Sequence, residues 1–204
     1  SYDIWAPLPG ASQRSVSYAE AMDMVAELFT ETRPSFGRIT RDMFAKQHVD
    51  VPPYQGKRGG AFCMPNMEGL PYVMLNWTGK ARDIATLAHE FGHAIHMELS
   101  RKQGPLGTVE SLVMAEVASV FMETLLYGKL LARTKNPRER LYMLQEIIED
   151  GFATTFRQMQ FNRFEDAVHN HRREKGELAA ADIARHFAEA ERAYFGKTMT
   201  PAKN

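Results

Sequence analysis

The residues in this sequence best suited to chemistry are two histidines and a glutamate in the run His89-Glu90-Phe91-Gly92-His93. Residues four apart lie one turn apart on the same face of an α-helix, so His89 and His93 could bind one metal ion from a single rigid element. Glu90 follows about 100° further round the helix, within reach of a water molecule on that metal. The spacing therefore predicts metal-assisted hydrolysis of a peptide bond.

The residues around this motif favour a helix. Gly92 costs roughly 1 kcal/mol relative to alanine inside a helix, so its presence indicates that another part of the chain approaches the backbone there. The five-residue pattern alone also fits an ordinary amphipathic helix, and that alternative stays open at this point. Apolar side chains recur at helical spacing through the segment, namely Ile84, Leu87, Ala88, Phe91, Ile95 and Leu99.

A catalytic zinc ion needs a third protein ligand and one open coordination position. Glu116 is the candidate, because the segment 111–123 around it is so apolar that a carboxylate buried there would need a partner such as a metal. Glu123 lies two turns further on and could hold a histidine or the ligand carboxylate, or could be an ordinary solvated glutamate. His96 could line the cleft as a hydrogen-bond donor or lie in the core.

Two short β-prone stretches, residues 59–64 and 72–76, are separated by turn residues and predict a small antiparallel hairpin. The double glycine Gly59-Gly60 leaves the first strand with little side-chain cover. An extended peptide could therefore pair with its main chain, although these residues taken alone favour a flexible turn leading into an ordinary strand.

Longer motifs relate the sequence to a known family. These motifs are residues 57–62 (KRGGAF), 71–76 (PYVMLN), 86–96 (TLAHEFGHAIH), 115–119 (AEVAS), 156–158 (FRQ) and 194–196 (YFG). With them, the sequence resembles the oligopeptidase F and thimet oligopeptidase family of zinc peptidases, and the resemblance covers most of the chain in the family's order.

The resemblance implies an endopeptidase that hydrolyses internal bonds of short peptides. It assigns His89, His93 and Glu116 as ligands of one zinc ion and Glu90 as the general base toward a metal-activated water. A different class of function is a zincin-like module that binds peptides or metal without cleaving, and chelator-sensitive cleavage of a short peptide would distinguish the two.

The resemblance also implies a fold. We expect a mainly α, zincin-like catalytic core, with a small antiparallel β-hairpin or sheet beside the active-site helix. The strand that binds substrate would include Gly60, Ala61 and Phe62. Family members are longer and take tyrosine donors for the oxyanion from a later segment. We therefore expect residues 1–204 to be a single catalytic domain of a longer chain, lacking an N-terminal helical region and a C-terminal segment, and nearly inactive alone.

The amino-acid composition limits which classes of binding partner are expected. The 25 basic residues balance the 25 acidic residues, which gives no electrostatic argument for binding nucleic acid. No apolar run approaches the roughly 20 residues of a membrane span. The single cysteine, Cys63, excludes an internal disulfide and suits a reducing compartment, most simply the cytoplasm. The expected partners are short peptides, and the sequence does not indicate an oligomeric state.

The sequence predicts helices in the remaining parts of the chain. A capping box at Ser17 and Glu20 predicts a helix to about Thr32, and Pro34 begins a second helix that ends before Val51. Residues 137–175 predict one or two long helices with a kink at Gly151, followed by a last helix over about 178–194. The expected buried stripe of the long helices consists of Leu141, Leu144, Ile148, Phe152, Phe156, Met159 and Phe164.

Overall fold

The computed structural model describes residues 15–105, 107 and 111–196, and α-helices dominate this part of the chain. The mainly α fold is confirmed. The helices are α1 (Tyr18–Thr32), α2 (Pro34–Ala45), α3 (Ala81–Ser100), α4 (Leu112–Arg133), α5 (Pro137–Phe152), α6 (Gln158–Lys175) and α7 (Ala180–Phe195), and the strands are β1 (Val49–Asp50), β2 (Phe62–Met64) and β3 (Tyr72–Met74).

Contacts divide the chain into two compact units, one running up to Pro137 and one beginning at Arg138. A compact set of contacts is not by itself an independently folding domain. The expectation of one catalytic domain therefore stays a prediction.

Helices α1 and α2 begin where the sequence indicates. The Ser17 hydroxyl accepts a bond from the Glu20 amide, and the Glu20 carboxylate accepts one from the Ser17 amide, so the predicted capping box is confirmed. Pro34 occupies the first turn of α2, where its missing N–H has no intrahelical partner to lose. The pair of helices supports the active-site helix through Phe44, whose ring lies 4.7 Å from that of Phe91 on α3.

Helix α3 carries the motif and is fixed at its start by Asp83. That carboxylate accepts bonds from the amides of Thr78 and Lys80 and from the Thr78 hydroxyl, which ties the chain just before the helix to its first turn. The predicted apolar face is buried from Ile84 to Ile95, whereas Leu99, also expected on that face, is exposed.

Helix α4 crosses α3 at Gly92. A Cβ atom at Gly92 would lie 2.7 Å from both the Ala118 carbonyl oxygen and the Ser119 Cα, closer than side-chain atoms pack. The predicted close approach to the glycine is therefore confirmed, and the backbone of α4 is what approaches. This contact lets Glu116 on α4 come within reach of the two histidines on α3.

The sheet is mixed, with strand order β1-β3-β2. The antiparallel pair is confirmed, with Cys63 opposite Val73, but its strands are shorter than predicted. The prediction missed β1, which pairs parallel to β3 with Val49 opposite Val73. A strand of two residues is too short to show apolar alternation, and here it is followed directly by Val51 and two prolines.

In the second unit, α5 is followed by a π-helical turn at Ala153–Arg157 and then by α6. The change in helical hydrogen bonding therefore falls just after Gly151, where a kink was expected. Helix α6 packs on α7 through Phe164 and Phe187, whose ring centres are 5.3 Å apart. The predicted buried stripe is wrong for six of its seven members, because Leu141, Leu144, Ile148, Phe152, Phe156 and Met159 are exposed.

Candidate metal centre and general base

Three predicted ligand atoms meet between α3 and α4. The Oε2 atom of Glu116 lies 3.2 Å from Nε2 of His89 and 3.5 Å from Nε2 of His93. These three residues form the one group of three or more potential metal-ligating side chains found among the described residues, with ligand atoms within 4.8 Å of one another. The structure thus brings together the three residues that the sequence singled out.

The spacing and chemistry of these atoms fit a zinc ion. Bonds of 2.0–2.1 Å arranged tetrahedrally place neighbouring ligand atoms about 3.3 Å apart. The observed separations of 3.2 and 3.5 Å are close to this value. Two imidazole nitrogens and one carboxylate oxygen also form a donor set typical of catalytic zinc, which keeps a further position open.

The Glu116 carboxylate is fixed by a neighbour on its own helix. The hydroxyl of Ser119, which is completely buried, donates to Oε2 of Glu116 at 2.7 Å. The Glu116 side chain itself is 48% exposed, so the expectation that it would be buried among apolar residues is wrong. Several apolar residues of α4 are exposed as well, including Val113 and Val117.

Each histidine is oriented through a second contact. Nδ1 of His89 lies 3.2 Å from Oε2 of Glu123, so this glutamate holds a histidine, as one of its predicted alternatives proposed. A carboxylate on Nδ1 favours the tautomer that leaves Nε2 free to bind a metal. His93 hydrogen-bonds to the backbone of Ala115, and His96 is half-buried and close enough to His93 to lower its pKa.

The two histidines differ in their electrostatics. Burial lowers the pKa of His89, but the hydrogen bond to Glu123 and the charges of Glu90, Glu123 and Glu116 outweigh burial, so the pKa is raised. The pKa of His93 is lowered, mainly by burial. Three carboxylates around two imidazoles make this a site that favours a cation.

Glu90 is buried next to the ligands. Burial, together with the negative charges of Glu116 and Glu123, raises its pKa to about 7, against the opposing effect of His89. A carboxylate with a pKa near the working pH can both accept and return a proton. Glu90 therefore has the environment that a general base requires.

The predicted substrate strand lies beside this site. Cys63 of β2 contacts α3, with its Sγ 3.7 Å from the Sδ of Met97, and the charge of Glu90 contributes to raising the Cys63 pKa. Phe62 begins β2, whereas Gly60 and Ala61 precede it, so two of the three predicted residues lie outside the strand. Gly60 has a positive φ of 83°, which interrupts regular extension.

A buried glutamate beside two histidines and a third ligand on a second helix is typical of metal-dependent peptidases. The chain belongs to peptidase family M3, whose family model matches residues 27–204. This is a family of metallopeptidases.

Relatives of this chain are named as peptidases. It is 32% identical over 199 residues to oligopeptidase PepF of Bacillus subtilis (strain 168), covering 97% of this chain and 30% of the relative. It is 29% identical over 196 residues to the chromosomal oligoendopeptidase F of Lactococcus lactis subsp. cremoris, covering 96% of this chain and 32% of the relative. The chain thus spans about a third of the length of these relatives.

The fold matches a solved peptidase structure. PZ peptidase A with inhibitor 2 superposes with a TM-score of 0.75 at 21% identity, covering 90% of this chain and 32% of that one. Among the helices described, none has the length and apolar character needed to cross a membrane.

Three residues around the site were missed from the sequence. Ser119 stands three positions after Glu116, which is a spacing that places two side chains on one helical face and could have been noticed. Lys57 and Asn76 stand at the ends of the 57–62 and 71–76 motifs, but the motifs did not indicate a role for either side chain, because lysines and asparagines in loops are ordinarily solvated.

Proposed function

We propose that this chain is the catalytic core of a zinc-dependent endopeptidase that hydrolyses internal bonds of short peptides. The single observation that carries the proposal is the convergence of His89 Nε2, His93 Nε2 and Glu116 Oε2 beside the buried Glu90. The names of the relatives support the substrate class, since both are oligopeptidases.

The ligand residues supply a preorganised metal site. His89, His93 and Glu116 would hold one zinc ion, with Glu123 and Ser119 fixing the ring and the carboxylate that face it. Zinc bound there would lower the pKa of water to about 7 and polarise a peptide carbonyl. Because the two helices set the donor positions, little reorganisation is needed at the moment of reaction.

Glu90 would handle the proton. As water adds to the peptide carbonyl carbon, Glu90 accepts one of its protons, and it returns that proton to the amide nitrogen as the C–N bond breaks. A pKa of about 7, raised by burial and by neighbouring carboxylates, suits both transfers. Binding a cation at the adjacent ligands would favour the ionised, accepting form of Glu90.

Peptides would bind along β2, one of the two edge strands of the described sheet. Main-chain hydrogen bonds to an edge give affinity without strong side-chain preference, which suits an enzyme for varied short peptides. The Cβ positions at Gly59 and Gly60 would meet no atom within 4 Å, so there is room for a peptide backbone to approach.

The decisive experiment separates metal binding from catalysis. In a longer chain with measurable turnover, we expect Glu90→Gln to keep zinc affinity, measured by competition with a chromogenic chelator, while cleavage of a quenched fluorescent peptide falls by 100-fold or more. Glu98→Gln is the matched control on the same helix, because the Glu98 carboxylate pairs with Arg101 rather than with the site.

Three outcomes would contradict the proposal. If Glu90→Gln cleaves as fast as an active parent, another group is the base. If a longer chain that contains these residues and supplies the oxyanion donors binds zinc and peptide but shows no chelator-sensitive cleavage, these residues form a binding module instead of a peptidase core. Zinc that fails to bind after loading would overturn the ligand assignment of His89, His93 and Glu116.

A further inference from the structure

The loop between β1 and β2 leads directly into the proposed peptide edge. It contains two prolines and three glycines between residues 51 and 60, and most of its described residues are exposed. A loop of this composition is expected to be mobile. The side chains of Lys57 and Asn76 nevertheless attach this loop to the sheet.

The first attachment is a buried lysine. The Lys57 side chain is only 3% exposed, and its ammonium lies 3.0 Å from Oδ1 of Asp50. It also donates to the backbone oxygens of Asp50 at 3.3 Å and Pro52 at 3.0 Å. An ammonium has three donors, and each has an acceptor here. Since a buried charge without partners is costly, these contacts hold the loop against the end of β1.

The second attachment is an asparagine just beyond β3. Nδ2 of Asn76 lies 2.9 Å from the carbonyl oxygens of both Arg58 and Gly60. A side-chain amide has two N–H donors, and both are used on this loop. The two carbonyls also determine the orientation of the amide, because an oxygen in this place would face two other oxygens.

Between these attachments the backbone turns toward β2. Gly60 adopts a positive φ of 83°, and Gly59 and Gly60 have open space at their Cβ positions. One side of this backbone is therefore bare, while its carbonyls on the other side are bound by Asn76. Beyond it, Cys63 packs on Met97 of α3, so the start of β2 is fixed relative to the active-site helix.

We propose that Lys57 and Asn76 are positioning residues that hold Arg58–Gly60 so that a peptide pairing with β2 is aligned with the catalytic helix. This inference rests on the proposed function, because it requires peptides to bind along β2. The hydrogen bonds and ion pair of Lys57 and Asn76 described above do not involve the proposed metal ligands, so substitutions at either residue should affect peptide binding and not metal binding.

The test uses the full 204-residue chain, loaded with zinc, and a fluorescein-labelled hexapeptide of alanine, serine and phenylalanine. Lys57→Met removes the ammonium but keeps an unbranched side chain, and Asn76→Asp removes both donors at constant shape. Each should weaken peptide binding by about five- to tenfold, as expected for lost hydrogen bonds to a charged or paired group. Zinc affinity should stay within about twofold of the parent.

Matched controls make the same substitutions at a lysine and an asparagine that do not hold the loop. Lys46→Met makes the same change at an exposed lysine, and Asn66→Asp makes the same change at an amide whose oxygen accepts from Glu68, a role that a carboxylate keeps. Both should leave peptide and zinc affinity unchanged. Hydrogen exchange at residues 58–64 should accelerate in the Lys57 and Asn76 variants alone. If Asn76→Asp fails to fold, Asn76→Ser, which retains one donor, replaces it.

The outcomes are distinguishable. Variants with faster exchange but parental peptide affinity would overturn the positioning role and leave the proposed function intact. A parent chain that binds zinc but no peptide along β2 would overturn both. In a preparation with measurable turnover, the positioning role requires a raised KM with little change in kcat, and a fall in kcat alone would contradict it.

Discussion

The crossing of α3 and α4 and the face of α5 are built from similar apolar residues at similar spacing, yet their surroundings differ. On α3 and α4, Phe91 and Leu126 have no exposed surface, whereas on α5 Leu141 and Ile148 are 60% and 58% exposed. Helical spacing shows which residues share a face. Burial also requires a second element at the right distance, and α4 provides it for α3.

The largest expected difference between these regions is in packing. Leu126→Ala should lower the free energy of unfolding by about 2–5 kcal/mol, because it opens a cavity in a fully buried position. The same substitution at Leu141 should change it by no more than about 0.5 kcal/mol. Chemical denaturation of the two variants measures their free energies of unfolding. Equal losses would show that the α5 face is covered in solution.

The next effect concerns the contact that brings the two helices together. Gly92→Ala places a Cβ against the Ala118 carbonyl and should destabilise the protein by about 1–3 kcal/mol, while also lowering zinc affinity because Glu116 is displaced. Gly128→Ala on α4 is the control, since its Cβ would meet nothing within 4 Å. That variant should gain roughly 0.5–1 kcal/mol from helix propensity. If Gly92→Ala binds zinc as tightly as the parent, the close contact between α3 and α4 does not determine the position of Glu116.

A smaller effect is expected from the carboxylate behind His89. Glu123→Ala should reduce zinc affinity by about 10- to 100-fold, because His89 loses the acceptor that fixes its ring and tautomer. Glu123→Gln retains an acceptor without the charge and should recover much of this loss. Competition with a chelator measures both variants. If the two variants lose equally, the charge of Glu123 matters and its hydrogen bond does not.

The last expected effect concerns chemical reactivity instead of stability or metal affinity, and it lies at Cys63, on the strand that packs against α3. Burial, with the nearby charge of Glu90, raises the pKa of this thiol to about 12. At pH 8 only about one molecule in 10,000 would carry a thiolate, so alkylation should be over 1000-fold slower than for a free thiol. Its rate should keep rising about tenfold per pH unit beyond pH 9. A plateau near pH 8.5 would show that the thiol is solvated.

The residues that could be predicted are those whose role depends on local spacing. The helix of the motif, the pairing of His89 with His93, and the close approach at Gly92 all follow from one turn of helix or from one missing side chain. Glu123 was also within reach, because seven residues return to nearly the same face of α4.

The features that could not be predicted depend on distant parts of the chain. Strand β1 exists only because β3 donates to the carbonyls of His48 and Asp50. Lys57 is buried only because the loop folds back onto Asp50. Glu116 was chosen for a reason that proved wrong, since it is half-exposed, and its position is instead determined by the α3–α4 crossing and by Ser119.

The missing side chain at Gly92 also bears on which ions the protein can select. Because the backbones touch there, the distance between the helices is fixed, and with it the 3.2 and 3.5 Å separations of the donors. Calcium prefers six to eight oxygen ligands at about 2.3–2.6 Å, so a nitrogen-rich triangle of this size discriminates against it. The hydrogen atom that glycine carries in place of a side chain at position 92 thus determines how closely the possible metal-binding atoms of α3 and α4 approach one another.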